Sequence, residues 1–231
     1  MKDLGVVKED VFKEGREADL KDRFPHDRVV FFSDAVFAIA ITLLAIELKL
    51  PDREMIAHLG EAGASHEVTS HFFAYFISFL VTGLFWIGHM QTWRHVRRVG
   101  GGLVWMTLMQ LMFVALMPLA TREYSSFFSS QSPGRLAFYA FVLAAISLFA
   151  VISRQMVIRQ ERLHERIGEL ATRWLFWRGV VPLVLFSLAI PAAYLLPTGR
   201  GGLLFVLVFP CLVVTRRWLQ RSAPSAASET S

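Results

Sequence analysis

Six long apolar stretches, at residues 28–48, 68–93, 103–124, 135–153, 175–196 and 203–218, constrain this chain more than any other feature. A helix of about 20 residues crosses a hydrocarbon core about 30 Å thick, and these stretches approach or exceed that length. Within lipid a backbone has to satisfy its own N–H and C=O groups, so stretches of this kind become helices. Composition agrees. Of the 231 residues, 54% are apolar and 19% charged, and 20 are Phe; soluble domains average about 45–50% and about 25%. The expected fold class is an all-α integral membrane protein with six transmembrane helices per protomer. A soluble enzyme, a disordered chain and a disulfide scaffold are set aside, since Cys211 has no second cysteine to pair with. The first 28 residues are charged throughout and lack the apolar run of a secretory signal.

Charge sets the expected orientation. Of the 24 Lys and Arg, only Lys49, Arg53, Arg122, Arg135 and Arg200 fall on one side of a six-span arrangement. The rest cluster before the first span, after the second, after the fourth and after the last. Positive charge accumulates in cytoplasmic loops, so both termini are expected in the cytoplasm of a multi-pass protein of the plasma membrane. The basic pI of 9.7 then reflects topology, and nucleic acid is not an expected partner. Residues 1–27 read as a cytoplasmic segment, 28–220 as the membrane domain and 221–231 as a disordered tail. The loop 51–67, opening with Pro51-Asp52, suits a short surface helix. Trp93, Trp105, Trp174, Trp177 and Trp218 fall at inner span ends, as headgroup-level anchors. Pro182, Pro191 and Pro210 are candidate kinks, with ordinary helix packing the favoured reading. Arg159, Arg162 and Arg166 alternate with Glu161, Glu165 and Glu169, which reads as a solvated helix with i,i+4 pairs rather than a voltage sensor.

The first span carries an acid, Asp34, within the bilayer. Such a group is costly in lipid and faces protein or a wet cavity. It is either an ion ligand or proton relay, or a member of a buried polar network. With Ile39 set to 0° and about 100° per residue, Arg28, Phe32, Ala35, Thr42, Leu43 and Ile46 form one stripe within about 60° of it. Ser33 at about 120° and Asp34 at about 220° lie off that stripe. Asp34 sits about 9 Å from the inner boundary and His89 about 8 Å, at 1.5 Å per residue. Thr107 and Gln110 fall in the same layer. A hydrogen-bonded cluster of Ser33, Asp34, His89 and Thr107 or Gln110 is expected to fix helix packing, with Trp86 adding its indole N–H. His89 as a lone satisfied histidine is the plainer alternative. No metal site is expected, because too few ligands share this depth.

The run Arg28-x-x-x-Phe32-Ser33-Asp34, continued by Ala-Val-Phe-Ala-Ile-Ala-Ile-Thr-Leu-Leu, resembles the first-span signature of the transmembrane protein 175 family of potassium channels, as does Trp86-x-x-His89 in the second span. Animal members carry two six-span repeats; this chain has one, like the prokaryotic members. The resemblance implies a homotetramer in which the first helix of each protomer lines a central pore. It places the constriction at Ile39, with Leu43 and Ile46 on the following turns and Thr42 near the narrow region. Arg28, Phe32, Ser33 and Asp34 match the signature itself.

No Thr-Val-Gly-Tyr-Gly filter is present, so a carbonyl cage is not expected. An apolar ring dewets when tight and passes the less strongly hydrated cation when wider, so gating and a modest preference for potassium over sodium would share one place. The expected function is passive potassium-preferring conduction in a channel domain spanning 28–220, with no cofactor beyond the permeant ion. Self, the bilayer and monovalent cations are the partners. A proton-conducting or proton-coupled carrier using Asp34 and His89 is the alternative. An enzyme is not expected, since no nucleophile–base pair, metal motif or nucleotide loop is present.

Overall fold

In a computed structural model, residues 24–48, 53–130, 132–195, 210–211, 213–215 and 217 are described. Helix α1 spans His26–Leu43 and tightens into a 3₁₀ turn at Leu44–Glu47. The remaining helices are α2 Arg53–Trp93, α3 Gly101–Ala115, α4 Met117–Ser130, α5 Pro133–Gln160, α6 Leu163–Ile167 and α7 Glu169–Leu195. Among the described residues five helical segments are long and apolar enough to cross a membrane: His26–Glu47, Gly60–Trp93, Gly101–Phe127, Pro133–Gln160 and Glu169–Leu195. The expected sixth span falls largely outside the described residues, as do the leader before Phe24 and the tail.

Several boundaries differ from expectation for identifiable reasons. The short helix expected within 51–67 starts at Arg53 and ends at Gly60 (φ 71°), a conformation open to glycine, and the second span then begins there rather than at 68. The third span is α3 joined to α4 through a turn at Leu116. Pro118 lies two residues on and has no N–H to bond the carbonyl of Val114. Pro182 and Pro191 sit inside α7, which runs on past both of them. The charged segment after α5 is not one solvated helix. It turns at Arg162 (φ 47°), forms the five-residue α6 and stops at Gly168 (φ 82°). Its Glu161 carboxylate accepts from the backbone N–H of Arg97 (2.7 Å) and Arg98 (3.1 Å), tying this turn to the α2–α3 loop. Arg166 reaches Glu161 at i,i+5, 3.3 Å away.

α5 is the hub. In its most apolar stretch 61% of residues are buried, against 22% for α1 and for α7. Tyr139 of α5 stacks on Tyr124 of α4 at 4.5 Å and shares a hydrogen bond with Ser78 of α2 (3.0 Å). Lipid tails are as apolar as leucine, so such interlocking and interhelical bonds hold membrane helices together. Other hydroxyls are satisfied locally: Thr82, Thr92, Thr121 and Ser147 each donate to the carbonyl four residues back.

Replacing Tyr139 by Phe, or Ser78 by Ala, is expected to cost about 0.6 kcal/mol of thermal stability, the average for interhelical bonds in membranes. The double variant should lose no more than the worse single one if the pair acts as one unit. Fully additive losses would show the hydroxyls acting independently.

Candidate functional site

α1 lies at the edge of the bundle with an uneven burial pattern. Ser33, Phe37, Ala40 and Leu44 are buried, the last three packed into the core shared with α2, α4 and α5. The opposite arc is open. Phe31, Phe32, Ile39 and Ile46 are 77, 52, 57 and 72% exposed, and Leu43 is 40% exposed. Arg28, Ala35 and Thr42 share that arc. A straight α-helix would put Ile46 near −20°; the 3₁₀ turn advances about 120° per residue and moves it to about +20°, on the same arc. The Thr42 hydroxyl donates to Ile39 O at 2.9 Å. That bond uses its proton, so the oxygen's remaining lone pairs are available on the open side.

Asp34 sits between the open and buried arcs, half-buried, and accepts a 3.0 Å hydrogen bond from the Trp86 indole of α2. His89, one turn along α2, is 6% exposed and packs between the rings of Phe37 (5.5 Å) and Trp93 (5.8 Å). Thr107 and Gln110 of α3 are both 1% exposed. His89 Nε2, Thr107 Oγ1 and Gln110 Nε2 are buried without hydrogen-bond partners, although His89 and Gln110 are neighbours. Ser33 stays outside the expected cluster: its hydroxyl turns back to Val29 O at 2.8 Å on its own helix. The intrahelical bond satisfies it without a partner span. Among the described residues no group of three or more His, Cys, Asp or Glu is placed to hold a metal ion.

Sequence reasoning missed two features of this layer. Trp93, expected at the headgroup level, is 2% exposed and packs on His26 and His89; among the described residues Trp105 and Trp177 are the exposed indoles, at 62% and 39%. Arg154, counted among the inner loop charges, is 4% exposed, and its Nε donates to Thr92 Oγ1 (3.3 Å). Its position, one residue past the end of an apolar run, was the available signal.

These features define a multi-pass helical membrane protein whose first span keeps one face for the bundle and leaves the other uncovered. The family model described as "Endosomal/lysosomal potassium channel TMEM175" matches residues 28–118, which hold the first-span signature and the Asp34–Trp86 pair. Over those 91 of its 231 residues the chain is similar to the TMEM175 family. It is 27% identical over 190 residues to a Chryseobacterium protein named a potassium channel, covering 82% of this chain and 94% of that one. It is 35% identical over 121 residues to a Bos taurus protein named an endosomal/lysosomal proton channel, where the match covers 47% of this chain but about a quarter (24%) of the bovine protein. The fold matches the crystal structure of a "lysosomal potassium-selective channel TMEM175 homolog" from Chamaesiphon minutus with a TM-score of 0.66, covering 83% of this chain and 97% of that one at 23% identity.

Removing the indole donor leaves a carboxylate in the bundle without its bond, and hydrogen bonds to charged groups contribute about 1.5–3 kcal/mol. Trp86→Phe should therefore lose about that much stability in a thermal or denaturant titration, whereas Asp34→Asn, which keeps an accepting oxygen, should lose less. The reverse order would mean that the indole acts by packing alone.

Proposed function

We propose that this protein is a passive, potassium-preferring cation channel of the cell membrane, a homotetramer in which four copies of α1 surround a central pore. The observation that carries this reading is the split of α1 into a buried arc through Phe37 and an open arc through Ile39. One helix cannot enclose a path for ions, but cyclic symmetry places four equivalent faces around one axis. The relatives named as potassium channels support the permeant ion. With six spans and both termini cytoplasmic, Arg28 lies at the inner mouth of the path. Ile39, Leu43 and Ile46 then form successive apolar rings, and Thr42 turns an oxygen toward the narrow region.

The chemistry of such a pore follows from its lining. A ring of isoleucine offers nothing in place of a water shell, so it excludes ions when narrow and favours the more easily dehydrated cation when wider. Potassium is stripped of water more cheaply than sodium, and the Thr42 oxygen replaces part of what is lost. Asp34 is a positioning residue in this scheme: held by Trp86, it sets the rotation of α1 and thereby which side chains reach the axis. No catalytic chemistry and no cofactor are called for; the permeant ion is the substrate.

A proton route through Asp34 and His89 is the second reading, favoured by the name of the bovine relative and by the unpartnered Nε2 of His89. Asp34→Asn bears on the choice: retained potassium flux in an assembled protein demotes the relay, and loss of assembly supports a structural role for Asp34.

Flux into liposomes with purified protein tests the channel reading. Wild type should carry potassium down its gradient faster than sodium. Ile39→Asn should raise the flux and erode the preference, and Thr42→Ala should erode the preference. An unchanged ratio in both variants would move the constriction away from α1.

A further inference from the structure

Arg154 is the most deeply buried cation among the described residues, at 4% exposure, and its surroundings do not neutralise it. Its Nε donates to Thr92, while Nη1 is buried with no partner. No carboxylate among the described residues forms an ion pair with it. A guanidinium withdrawn from water without a counter-charge is strongly unfavourable unless something anionic reaches it. The fold makes room for this group at some expense to packing. Gly179 of α7 lies so close that a Cβ there would collide with the guanidinium, and a Cβ on Gly88 of α2 would meet Nη2 at 3.4 Å. α7 thus forgoes a side chain where it faces Arg154, while the Gly88 contact is an ordinary one.

The guanidinium lines one end of a cleft between α2, α5 and α7. Arg178 also lines it, half-buried and hydrogen-bonded to Gln91. Away from the arginines the wall becomes apolar, through Leu84, Phe85, Pro182 and Phe186. The change is ordered along all three helices. From Gly88 back to Val81, from Arg154 back to Ser147 and from Gly179 on to Phe186 the cleft runs seven residues, about 10 Å at 1.5 Å per residue. The charged end faces the side of the membrane where Arg94, Arg97 and Arg98 lie; the apolar end points toward the bilayer centre. A site for a free anion needs the first part alone. A charged head followed by an apolar channel directed into the hydrocarbon matches a molecule with a phosphate and an acyl chain.

We propose that this cleft binds an anionic phospholipid, its phosphate on Arg154 and Arg178 and one chain along the wall of Phe85 and Phe186. Basic pockets between transmembrane helices on the cytoplasmic side have the right chemistry for such headgroups. The bound phosphate supplies the counter-charge that no described residue of the bundle gives Arg154. The lipid spans the groove between α7 and the α2–α5 pair, and so joins a peripheral span to the hub.

Native mass spectrometry of the purified full-length protein tests this without reference to ion flux. The protein is offered phosphatidylglycerol or phosphatidylcholine with identical chains, with and without millimolar inorganic phosphate. Wild type should retain phosphatidylglycerol with a preference of about tenfold or more, as two arginines near a lipid phosphate predict. Arg154→Met, which keeps the bulk and removes the charge, should abolish that preference. Inorganic phosphate should leave retention unchanged, because it lacks the chain. Should Arg154→Met fail to assemble, Leu84→Trp, which fills the apolar wall and leaves both arginines, should reduce retained phosphatidylglycerol to the phosphatidylcholine level. Equal retention of the two lipids by wild type, displacement by inorganic phosphate, or full preference in an assembled variant overturns the assignment.

Discussion

A carboxylate halfway into a membrane helix has to be met by a donor from the protein, because lipid offers none. On α1 that donor is the Trp86 indole, 3.0 Å from Asp34. The consequence is geometric. A helix free to rotate about its own axis is locked once one of its side chains is tied to a neighbour, and every other residue on it then has a fixed direction. With Asp34 turned toward α2, Phe37, Ala40 and Leu44 fall into the core, and Ile39, Leu43 and Ile46 face away from it. The proposed pore and its rings follow from that rotation. A shift of α1 by one residue would turn the helix by about 100° and carry Ile39 off the open arc.

Several further buried polar groups lie near the same end of the bundle. His89, Thr92 and Arg154 lie on α2 and α5, with Gln110 on the neighbouring α3. Toward the other end of these helices, stacked Tyr124 and Tyr139 and the Ser78 bond do the joining. The separation has a physical logic. Near the headgroups a partly satisfied polar atom has water and lipid phosphate within reach; near the bilayer centre it has neither, so hydroxyls there are tied within their own helix or paired tightly. The site proposed for a phospholipid and the site proposed for ions thus sit on opposite sides of one helix pair. α1 covers one flank of α2, and the cleft opens on another, between α2, α5 and α7.

What was legible in the sequence was legible through periodicity and cost. Hydropathy marks out five described spans because lipid imposes length and internal hydrogen bonding on any segment that crosses it. The 100° spacing separates Asp34 from Ile39 before any neighbour is known. Features that depend on which atoms meet across helices were less accessible. Ser33 has the depth to join a cluster, but its own helix offers a carbonyl at 2.8 Å and wins. Trp93 has the position of a headgroup anchor, but His26 and His89 close over it. Pro118 breaks its span and Pro182 does not, although both are prolines in apolar runs.

The sequence by itself determined that the chain crosses a membrane several times and that α1 has two unlike faces, because a bilayer filters by composition and a helix sorts residues by angle. Only the tertiary structure decided which face is covered, that Ser33 stays out of the Asp34–Trp86 contact, and that Arg154 lies buried against Gly179 with no carboxylate paired to it among the described residues. Those outcomes depend on distances between atoms far apart in the chain, and spacing along one helix carries no information about its neighbours.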